Sequence, residues 1–492
     1  MTVTDLTRPA DKWTATGWLT VVVLLSLLLR LLFLGQRSFW LDEITSVLVA
    51  RLDWPAFWQV VTDRQANMAL YFLILRSWLP LGENEFWPRL LSVLISVATV
   101  PLMYRLAARL FDPRVGMLSA VLLAVNAFHV QYAQEARGYS LVILLVTLAS
   151  TYFADGILHP RWQAWLGYVV TAVLGLYSHF FTALMIIAHA ASALLVRHDA
   201  MPWRSLIVSW LIIAGCATPL VLFVLTRDSG QIDWVSPPRL SAAYKVLLTL
   251  AGGGDLVGWV FVAAGLWGLW HARRLDASGA WPFKVVAIWV AIPIVLAMLV
   301  SFAKPILVYR YFGICLPAFV ALTSAGVMRI APRRLRYAAA FLLIVLSAAR
   351  TVCWYGTNDT EDWRAATAYV LTHAQPGDAL VFHPYYARQC FDFYRERVSQ
   401  GSPTAEIVFP GPWSPATDQL EEPAPELLAS LAARYEETWL ISRSTSVESD
   451  RTVRETLARA YSNSDAASFA GVEVVRYHTA GRSQGVDDPA GK

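Results

Sequence analysis

LTVVVLLSLLLRLLFL, residues 19–34, is a nearly continuous apolar run, and it leads directly into GQRSFWLDEITSVLVA, residues 35–50. A helix built from such a run crosses the roughly 30 Å of hydrocarbon in a lipid bilayer. No small-x-small cleavage pattern follows it, so we expect the run to remain in the protein as a membrane anchor. Asp42 and Glu43 therefore stand together just beyond the end of the first predicted membrane span.

The composition indicates that membrane-spanning segments make up most of the chain. Of the 492 residues, 56% are hydrophobic and only 15% are charged. Because apolar runs of comparable length recur, the sequence predicts a polytopic α-helical membrane protein rather than a soluble one. The formal net charge of +4 is small. With no basic run, arginine–aromatic groove or zinc-ligand spacing, no nucleic acid is expected as a partner.

The apolar pattern predicts eleven membrane spans, within a range of about 11–13. They cover residues 18–34, 90–110, 115–132, 139–155, 163–178, 180–196, 205–225, 256–271, 284–302, 311–328 and 337–352. Arginine-rich loops alternate with loops poor in basic residues, and the arginine-rich ones belong on the cytoplasmic side. This assignment places the N-terminus in the cytoplasm. It places Asp42, Arg137, His179, Lys304 and Arg310 on the outer face, together with the C-terminal region.

Two further apolar segments, residues 68–80 and 241–252, are short for spans, and each carries a basic residue. We interpret both as helices in the outer membrane interface, and helices that span the membrane are the alternative. Before them, Trp54 and Trp58 accompany a mixture of apolar and polar positions that is typical of amphipathic surface helices. The apolar positions are Ile44, Val47, Leu48, Val49, Leu52 and Phe57. The sequence thus predicts a transmembrane domain, residues 1–355, with interfacial helices around residues 43–80.

After Tyr355, short apolar runs alternate with helical stretches, which predicts a small α/β extracytoplasmic domain over residues 356–478. The expected strands contain residues 378–382, 406–409, 438–442 and 471–477, and the expected helices cover 362–374, 386–395, 426–435 and 450–461. No glycine-rich phosphate loop follows a strand, so no nucleotide site is predicted. Residues 479–492 are polar and are predicted to be disordered. The sequence leaves undecided whether Cys353 and Cys390 form a disulfide, which would require an oxidising compartment.

Asp42 is the first candidate for chemistry. A carboxylate at a membrane surface can orient a hydroxyl group and take its proton as that hydroxyl attacks. LDEITS, residues 41–46, also resembles a helix start, so a capping role for Asp42 is an equally weighted alternative. On a helix Glu43 points away from Asp42, which favours pairing with a cation and places it second. The two carboxylates leave open a divalent metal at Asp42, and no other cofactor is predicted.

Cationic and phenolic side chains recur at the predicted outer ends of the spans. They are Arg137 and Tyr139 in QEARGYS, His179 in LYSHFF, and Lys304, Arg310 and Tyr311 in AKPILVYRYFG. A guanidinium presents a fixed fork of donors that fits phosphate, and a phenol adds a neutral donor. Any one of these arginines, like Arg30 in the first span, is also explained by snorkelling to the interface. Because isolated anchors scatter over both faces, their clustering on one face favours a lipid-phosphate site.

Segments that contain these residues resemble the GT-C superfamily of glycosyltransferases that use lipid-linked sugars. Within it they are most similar to the protein O-mannosyltransferase and lipid A aminoarabinose transferase group. The segments span most of the chain: FWLDE (39–43), NMALYF (67–72), GENEFWPRLLS (82–92), LAARLFDPRVGMLSAVLLAVNAFHVQYAQEARGYSL (106–141), LYSHFF (176–181), VYRYFGICLPAFVAL (308–322) and DWRAATAYVLTHAQPGDALVF (362–382). Asn67, Met68 and Ala69 depart from it, since relatives commonly have a His-Pro-Pro stretch there.

The resemblance implies a GT-C-like fold and an enzyme that transfers a sugar from a polyprenyl-phosphate donor to an extracytoplasmic hydroxyl, with inversion. It implies that Asp42 is the catalytic carboxylate with Glu43 beside it. It also implies a donor pocket shaped by Arg137, Tyr139, His179, Arg310 and Tyr311. The expected location is a bacterial-type inner (plasma) membrane, and the expected partners are membrane lipids, the lipid-linked donor and an envelope glycan, lipid or protein acceptor.

The main alternative from another class is a polytopic transporter or lipid flippase. Transporters usually show internal repeats with paired broken helices and binding residues near the middle of the bilayer. The sequence has no obvious repeat, and its acid pair lies at one predicted face. A scaffold with an outer domain that binds envelope polymers is a third alternative, but it leaves the polar cluster unused. The sequence identifies neither the sugar nor the acceptor.

Overall fold

A computed structural model describes residues 9–195, 201–227, 235–357, 360–398, 405–411, 423–443 and 447–479. The chain forms two compact units that alternate along the sequence. The first comprises Met1–Leu34, Val61–Glu83 and Trp87–Gly356, and the second comprises Gly35–Val60, Asn84–Phe86 and Thr357–Lys492. Residues 35–60, which the sequence assigned to the transmembrane domain, therefore group with the C-terminal residues. The tail predicted to be disordered lies, from residue 480 onward, outside the described residues.

Helices dominate the chain up to residue 356, as expected in lipid, where a helix satisfies its own backbone hydrogen bonds. In chain order they are α1 (Pro9–Leu31), α2 (Leu41–Arg51), α3 (Trp54–Asp63), α4 (Ala69–Trp78), α5 (Phe86–Leu110), α6 (Pro113–Ala124), α7 (Ala127–Ala133), α8 (Tyr139–Leu158), α9 (Trp162–Ser178), α10 (Thr182–Leu195), α11 (Trp203–Thr226), α12 (Ala242–Leu250), α13 (Asp255–Ala272), α14 (Ala277–Ser301), α15 (Leu316–Met328) and α16 (Arg333–Tyr355). Short 3₁₀ helices cover Ala66–Met68, Leu79–Leu81 and Tyr309–Cys315. Helix α2 and most of α3 belong to the second unit.

Each predicted span coincides with one of these helices or with a pair of them. Among the described residues, seven helices have the length and hydropathy of a membrane span, or eight if the bent pair α6 and α7 counts as one. The seven are α5, α8, α11, α13, α14, the helical segment 309–328 and α16. The shorter apolar helical segments among the described residues are 16–31, 66–81 and 182–195. The predicted eleven is reached if 16–31, 182–195 and α9, a helix of 17 residues, cross as well and 66–81 does not. The chain is therefore a polytopic α-helical membrane protein, as predicted.

The predicted span at 115–132 is wrong in one respect, because it is two helices rather than one. Helices α6 and α7 meet at an angle of 56°. The break follows from Asn126, whose side-chain oxygen accepts a hydrogen bond from the backbone N–H of His129 at 3.0 Å and so caps α7. An asparagine offers the backbone this local alternative to a continuous helix.

The break frees backbone carbonyls, and side chains from other helices donate to them. Arg30 of α1 donates to the carbonyl oxygens of Ala124 at 2.9 Å and Leu123 at 3.4 Å. The hydroxyl of Thr351 in α16 donates to the carbonyl of Val125 at 2.8 Å. Because lipid offers no water to replace such donors, a broken helix in the membrane requires these partners.

Arg30 is completely buried, so the snorkelling alternative does not describe it. Its Nε donates to the hydroxyl of Ser96 at 2.8 Å, and its Nη1 donates to the hydroxyl of Ser26 at 2.7 Å. Its Nη2 lies 2.8 Å from Nδ1 of His129. Nδ1 also lies 3.3 Å from the Leu123 carbonyl oxygen, and Nε2 lies 3.3 Å from the Ser96 hydroxyl. Arg30 thus belongs to a closed hydrogen-bond network inside the first unit.

The predicted span at 311–328 also begins differently. Residues 309–315 form a 3₁₀ helix, and α15 starts at Leu316 with Pro317 in its first turn. Proline is favoured there because it has no N–H that would need an intrahelical acceptor. The 3₁₀ segment carries Arg310 and Tyr311.

The C-terminal part of the second unit is the predicted α/β fold. Its helices are α17 (Trp363–His373), α18 (Ala387–Val398), α19 (Pro425–Arg434) and α20 (Val447–Ala460), and its strands are β1 (Ala379–His383), β2 (Glu406–Phe409), β3 (Glu437–Arg443), β4 (Asn463–Phe469) and β5 (Val472–His478). The strand order is β2-β1-β3-β5-β4. Strands β1, β2 and β3 are parallel, whereas β5 is antiparallel to both β3 and β4. The sequence missed only β4, a strand at the sheet edge.

The segments predicted as interfacial are helical, since α4 covers most of 68–80 and α12 most of 241–252. In α2 the apolar residues Ile44, Val47 and Val49 are buried in the protein, so they do not supply the predicted membrane-facing surface. Trp54 and Trp58 of α3 are 51% and 48% exposed. Leu48 and Leu52 are partly exposed. The contact of this region with lipid and its position at the interface stay predictions.

The four cysteines are free thiols, so the disulfide left open between Cys353 and Cys390 is not formed. Cys353 and Cys216 are exposed, whereas Cys315 and Cys390 are buried.

We expect Arg30→Leu to destabilise the first unit. The substitution removes the Arg30 donor to the Ala124 carbonyl and one of several donors to the Leu123 carbonyl. A buried carbonyl left unsatisfied costs about 1–3 kcal/mol. Thermal unfolding of the purified protein in detergent, followed by circular dichroism, measures the loss. Arg114→Leu, at an exposed position in the first turn of α6, is the matched control and should leave the melting temperature unchanged. Equal melting temperatures for the two variants would contradict the role given to Arg30.

Candidate active site

The acid pair lies in the first turn of α2, in the second unit. The N-cap of this helix is Trp40, so Asp42 is not the capping residue that the sequence left as an alternative. Asp42 is partly exposed, whereas Glu43 is completely buried. The Glu43 carboxylate accepts a hydrogen bond from the Trp40 backbone N–H at 3.4 Å. The pair is therefore divided between a carboxylate that can meet a ligand and one that stabilises the start of the helix.

The first unit gathers aromatic rings from separate chain segments. Tyr139 begins α8, His179 follows α9, and Tyr311 lies in the 3₁₀ helix. The ring centroids of Tyr139 and Tyr311 are 6.5 Å apart, and those of His179 and Tyr311 are 4.6 Å apart. Tyr132 of α7 and Phe181 extend the cluster, with ring centroids 5.0 Å from Tyr139 and 5.2 Å from Tyr311 respectively. The predicted residues Tyr139, His179 and Tyr311 are thus brought together.

Two guanidinium groups accompany these rings. The Cζ atom of Arg137 lies 6.0 Å from the Tyr139 ring centroid, and that of Arg310 lies 5.7 Å from the Tyr311 ring centroid. Both positive charges act on the buried ring of His179. Arg137 and Arg310, far apart in the sequence, therefore share one electropositive cluster, as their placement on one predicted face suggested.

The turn that carries Arg137 is held by its surroundings. The hydroxyl of Ser92 in α5 donates to the Arg137 carbonyl at 3.4 Å and lies 3.1 Å from the hydroxyl of Tyr71 in α4. A side chain at Gly138 would approach Cβ of Tyr71 to 3.3 Å and the carbonyl oxygen of Ser178 to 3.5 Å. Glycine at this position therefore allows the turn to pack closely against α4 and the end of α9.

The hydrogen bonds of His179 define its tautomer. Its Nδ1 accepts from the backbone N–H of Phe181 at 3.2 Å. The neutral ring must then carry its proton on Nε2. Nε2 is buried and has no hydrogen-bond partner among the described residues. His179 therefore presents a neutral N–H donor beside two guanidinium groups.

Asn67 supports this loop, and the sequence missed its role. Its side-chain oxygen accepts from the backbone N–H of Phe180 at 2.9 Å, directly after His179. Asn67 stands where relatives were expected to have the His-Pro-Pro stretch. The sequence held one indication of this role, because Asn67, whose amide oxygen can accept a hydrogen bond, stands where a histidine was expected.

Lys304 differs from the other predicted residues. It follows the end of α14 and is exposed, and it has no side-chain hydrogen bond or ion pair within the described part of the chain. A flexible ammonium in such a place is not fixed by its neighbours, whereas Arg310 lies beside a packed ring. The structure does not bring Lys304 into the aromatic cluster.

The two sets of side chains fit different tasks. Guanidinium, imidazole N–H and phenol groups are hydrogen-bond donors that suit an anion such as a phosphate. A partly exposed carboxylate accepts a proton or a hydrogen bond. Among the described residues, no group of three or more His, Cys, Asp or Glu side chains is arranged to hold a metal ion.

The chain thus has a polytopic helical unit with cations near its helix ends and a unit that contains a small α/β fold. The comparisons show that this fold is similar to that of membrane proteins of known structure. Residues 65–226 match the family model described as dolichyl-phosphate-mannose-protein mannosyltransferase. No curated protein matches the sequence.

Solved structures match over nearly the whole chain. ArnT from Cupriavidus metallidurans in the apo state is 13% identical, with a TM-score of 0.59, and the match covers 94% of this chain and 98% of ArnT. The same protein bound to undecaprenyl phosphate gives a TM-score of 0.58 at 13% identity, with the same coverage. AglB from Archaeoglobus fulgidus, in complex with an inhibitory peptide and a dolichol-phosphate, is 11% identical, with a TM-score of 0.53 and coverage of 95% and 74%. These matches confirm the resemblance stated from the sequence motifs and establish the fold.

The different burial of the two acids predicts different effects on α2. Glu43→Ala removes a buried hydrogen-bond acceptor, which should cost about 1–3 kcal/mol in local stability. Asp42→Asn, at a partly exposed neighbour, should change stability by about 0.5 kcal/mol or less. Hydrogen–deuterium exchange of a peptide covering residues 39–46 is the measurement, and faster exchange is expected only in Glu43→Ala. Equal protection in both variants would refute the structural role of Glu43.

Proposed function

We propose that this protein is a membrane glycosyltransferase that moves a sugar from a polyprenyl-phosphate donor to a hydroxyl of an envelope glycan, lipid or protein. The observation that carries the proposal is the cluster of Arg137, Arg310, His179 and the tyrosines around them. His179 and Tyr139 are buried, whereas Arg137, Arg310 and Tyr311 are partly exposed. Such a set of donors with two positive charges is suited to a phosphate carried by a lipid.

The similar proteins support this choice of donor. ArnT was solved with undecaprenyl phosphate and AglB with dolichol-phosphate. The matching family model is described by a dolichyl-phosphate-linked mannose donor and a protein acceptor. The carrier class, a long-chain prenyl phosphate, is common to these descriptions, whereas their acceptors differ. The proposal therefore fixes the carrier class and leaves sugar and acceptor to experiment.

The reaction is a displacement at the anomeric carbon of the sugar. The acceptor oxygen forms a bond to that carbon while the bond to the phosphate oxygen breaks, and the lipid phosphate leaves with the bonding electron pair. Direct displacement inverts the configuration. The leaving phosphate gains negative charge, and preorganised donors aimed at it lower the barrier. Arg137 and Arg310 supply charge, and His179 supplies a neutral N–H from Nε2.

Asp42 takes the proton of the attacking hydroxyl. Its partial exposure leaves the carboxylate accessible, and its place at the start of a helix fixes its backbone. Glu43 acts through the structure of α2. The adjacent carboxylates are also suitable oxygen ligands for a divalent cation. Since no group of three metal-binding side chains surrounds them within the described ranges, we propose no step through a metal.

The proposal includes an orientation. The N-terminus lies in the cytoplasm and the C-terminal α/β domain lies outside it, in a bacterial-type plasma membrane. The distribution of arginine among the loops supports this orientation. An extracytoplasmic reaction is consistent with a lipid-linked donor, because the energy for transfer then arrives with the membrane-bound carrier.

Asp42→Asn tests the function directly. The variant keeps the size of the side chain but cannot accept the hydroxyl proton, and general-base catalysis contributes about 10²–10⁴-fold. We expect a loss of that order in transfer of radiolabel from a polyprenyl-phosphate sugar, with donor binding preserved. Asp53→Asn, near the end of α2, is the control and should retain activity. Wild-type rates in Asp42→Asn would remove Asp42 from the chemistry, and lack of transfer or donor hydrolysis by the wild type with any such donor would refute the proposal.

His179 tests the phosphate site. His179→Ala removes the N–H donor and should lower kcat by about 10²–10³-fold, the usual cost of one such donor. His179→Gln places an amide N–H near the position of Nε2 and should recover most of the rate. His159→Ala is a matched control, because His159 is the exposed C-cap of α8, as His179 is the C-cap of α9. Equal losses in the alanine and glutamine variants would contradict a donor role for Nε2.

A further inference from the structure

The start of α2 is stabilised by a local contact and by contacts from a distant part of the chain. Its N-cap is Trp40, and the Glu43 carboxylate accepts a hydrogen bond from the Trp40 N–H at 3.4 Å. The first N–H groups of a helix have no intrahelical acceptor and need partners from elsewhere. Residues of the C-terminal part of the second unit supply a partner to Leu41, the first residue of α2, and to Phe39, which lies just before the N-cap. The hydroxyl of Tyr394 accepts from the Phe39 N–H at 2.7 Å, and Oε2 of Glu361 accepts from the Leu41 N–H at 3.3 Å.

Glu361 is itself fixed from several directions. It is buried, with 7% of its surface exposed. The same Oε2 accepts from the indole N–H of Trp363 at 2.7 Å, and Oε1 pairs with Nε of Arg443 at 2.5 Å. The turn between β4 and β5 covers its aliphatic part, since a Cβ atom at Gly471 would lie 2.9 Å from Cγ of Glu361. A buried carboxylate so fully bonded has little freedom to move.

The contact of Glu361 with α2 falls one residue before Asp42. A second contact follows one turn later, where Gln389 of α18 donates to the hydroxyl of Thr45 at 3.2 Å. The charges of both carboxylates act on the buried thiol of Cys390. Burial raises the pKa of Cys390 well above its usual range, and the negative charges of Glu361 and Asp42 raise it further. Glu361 thus acts at the backbone of the turn that carries Asp42.

We propose that Glu361 is the positioning residue for Asp42, by capping the first turn of α2 from a distant part of the chain. The inference rests on the proposed catalytic role of Asp42. A carboxylate at a helix N-terminus also interacts favourably with the helix dipole. Without this cap the first turn frays, and Asp42 loses the orientation from which it takes the hydroxyl proton.

Glu361→Ala is the test variant, and transfer from a radiolabelled polyprenyl-phosphate sugar by the full-length protein is the assay. A misplacement of about 1 Å can cost on the order of 10²-fold in rate. We expect kcat to fall by about 10- to 10²-fold with KM for the donor unchanged. Glu437→Ala is the matched control, because Glu437 of β3 is also a buried carboxylate of the second unit that is paired with an arginine, Arg476 at 2.5 Å. It should lower stability without a comparable loss of kcat.

A double variant separates positioning from general destabilisation. If Glu361 acts through Asp42, then Glu361→Ala should cost little in an Asp42→Asn background, because residues that act as a unit are not additive. If the fold-losses in kcat of the two single variants multiply in the double variant, the inference is overturned. Gly471→Ala is a second probe, which keeps the Glu361 carboxylate but brings a Cβ atom into steric contact with this side chain. This variant should also have a lower kcat.

The outcomes also separate this inference from the proposed function. Wild-type activity of Asp42→Asn would contradict both the positioning role of Glu361 and the proposed catalytic role of Asp42. Impaired Asp42→Asn beside folded and fully active Glu361→Ala would end the positioning role alone and leave the transferase proposal standing. If Glu361→Ala does not fold, an unchanged kcat in folded Gly471→Ala decides against the inference.

Discussion

A polypeptide inside a membrane must satisfy every backbone group that it frees, and the break between α6 and α7 shows how this constraint organises the first unit. Arg30 donates to the carbonyls of Leu123 and Ala124, on the α6 side of the break. At the other end of α7, the amide of Gln134 donates to the carbonyls of Arg30 at 2.9 Å and Leu32 at 2.7 Å. Both ends of α7 are thus fixed to α1. The turn with Arg137 follows directly, so the direction of this short helix decides where the arginine lies.

The second unit meets the same constraint at the start of α2 by a different means. In the first unit buried side chains donate to backbone carbonyls, whereas here the side-chain oxygens of Tyr394 and Glu361 accept from backbone N–H groups. Both units combine a local cap, Asn126 or Glu43, with partners that are remote in sequence. In both units an irregular backbone segment next to a candidate functional residue depends on side chains that are remote along the chain. This dependence explains why residues 35–60 group with the C-terminal α/β part.

The sequence predicted the features that follow from local composition and failed where a distant partner decides. Long apolar runs were enough to predict the membrane-spanning helices, and short apolar runs were enough to predict β1, β2, β3 and β5. Strand β4, NSDAASF, lacks such a run and is stabilised by pairing with β5. Asn126 lies in an otherwise apolar stretch, so only its contacts reveal the break. The partnership of Glu361 and Leu41 joins residues 320 positions apart. Among the site residues, Tyr139, His179 and Tyr311 were brought together as one face predicted, while Lys304 was not.

The distribution of roles between the units bears on what the C-terminal α/β part does. The candidate phosphate-binding residues belong to helix ends of the first unit, and Asp42 belongs by its contacts to the second. An accessory domain that only recognised an acceptor would have no reason to supply the hydrogen-bond partners of α2. Here Tyr394, Glu361 and Gln389 all contact the first turns of that helix or the residues just before it. The C-terminal part therefore supplies hydrogen-bond partners to the segment that carries the candidate acid, so its sequence is constrained by the structure of α2.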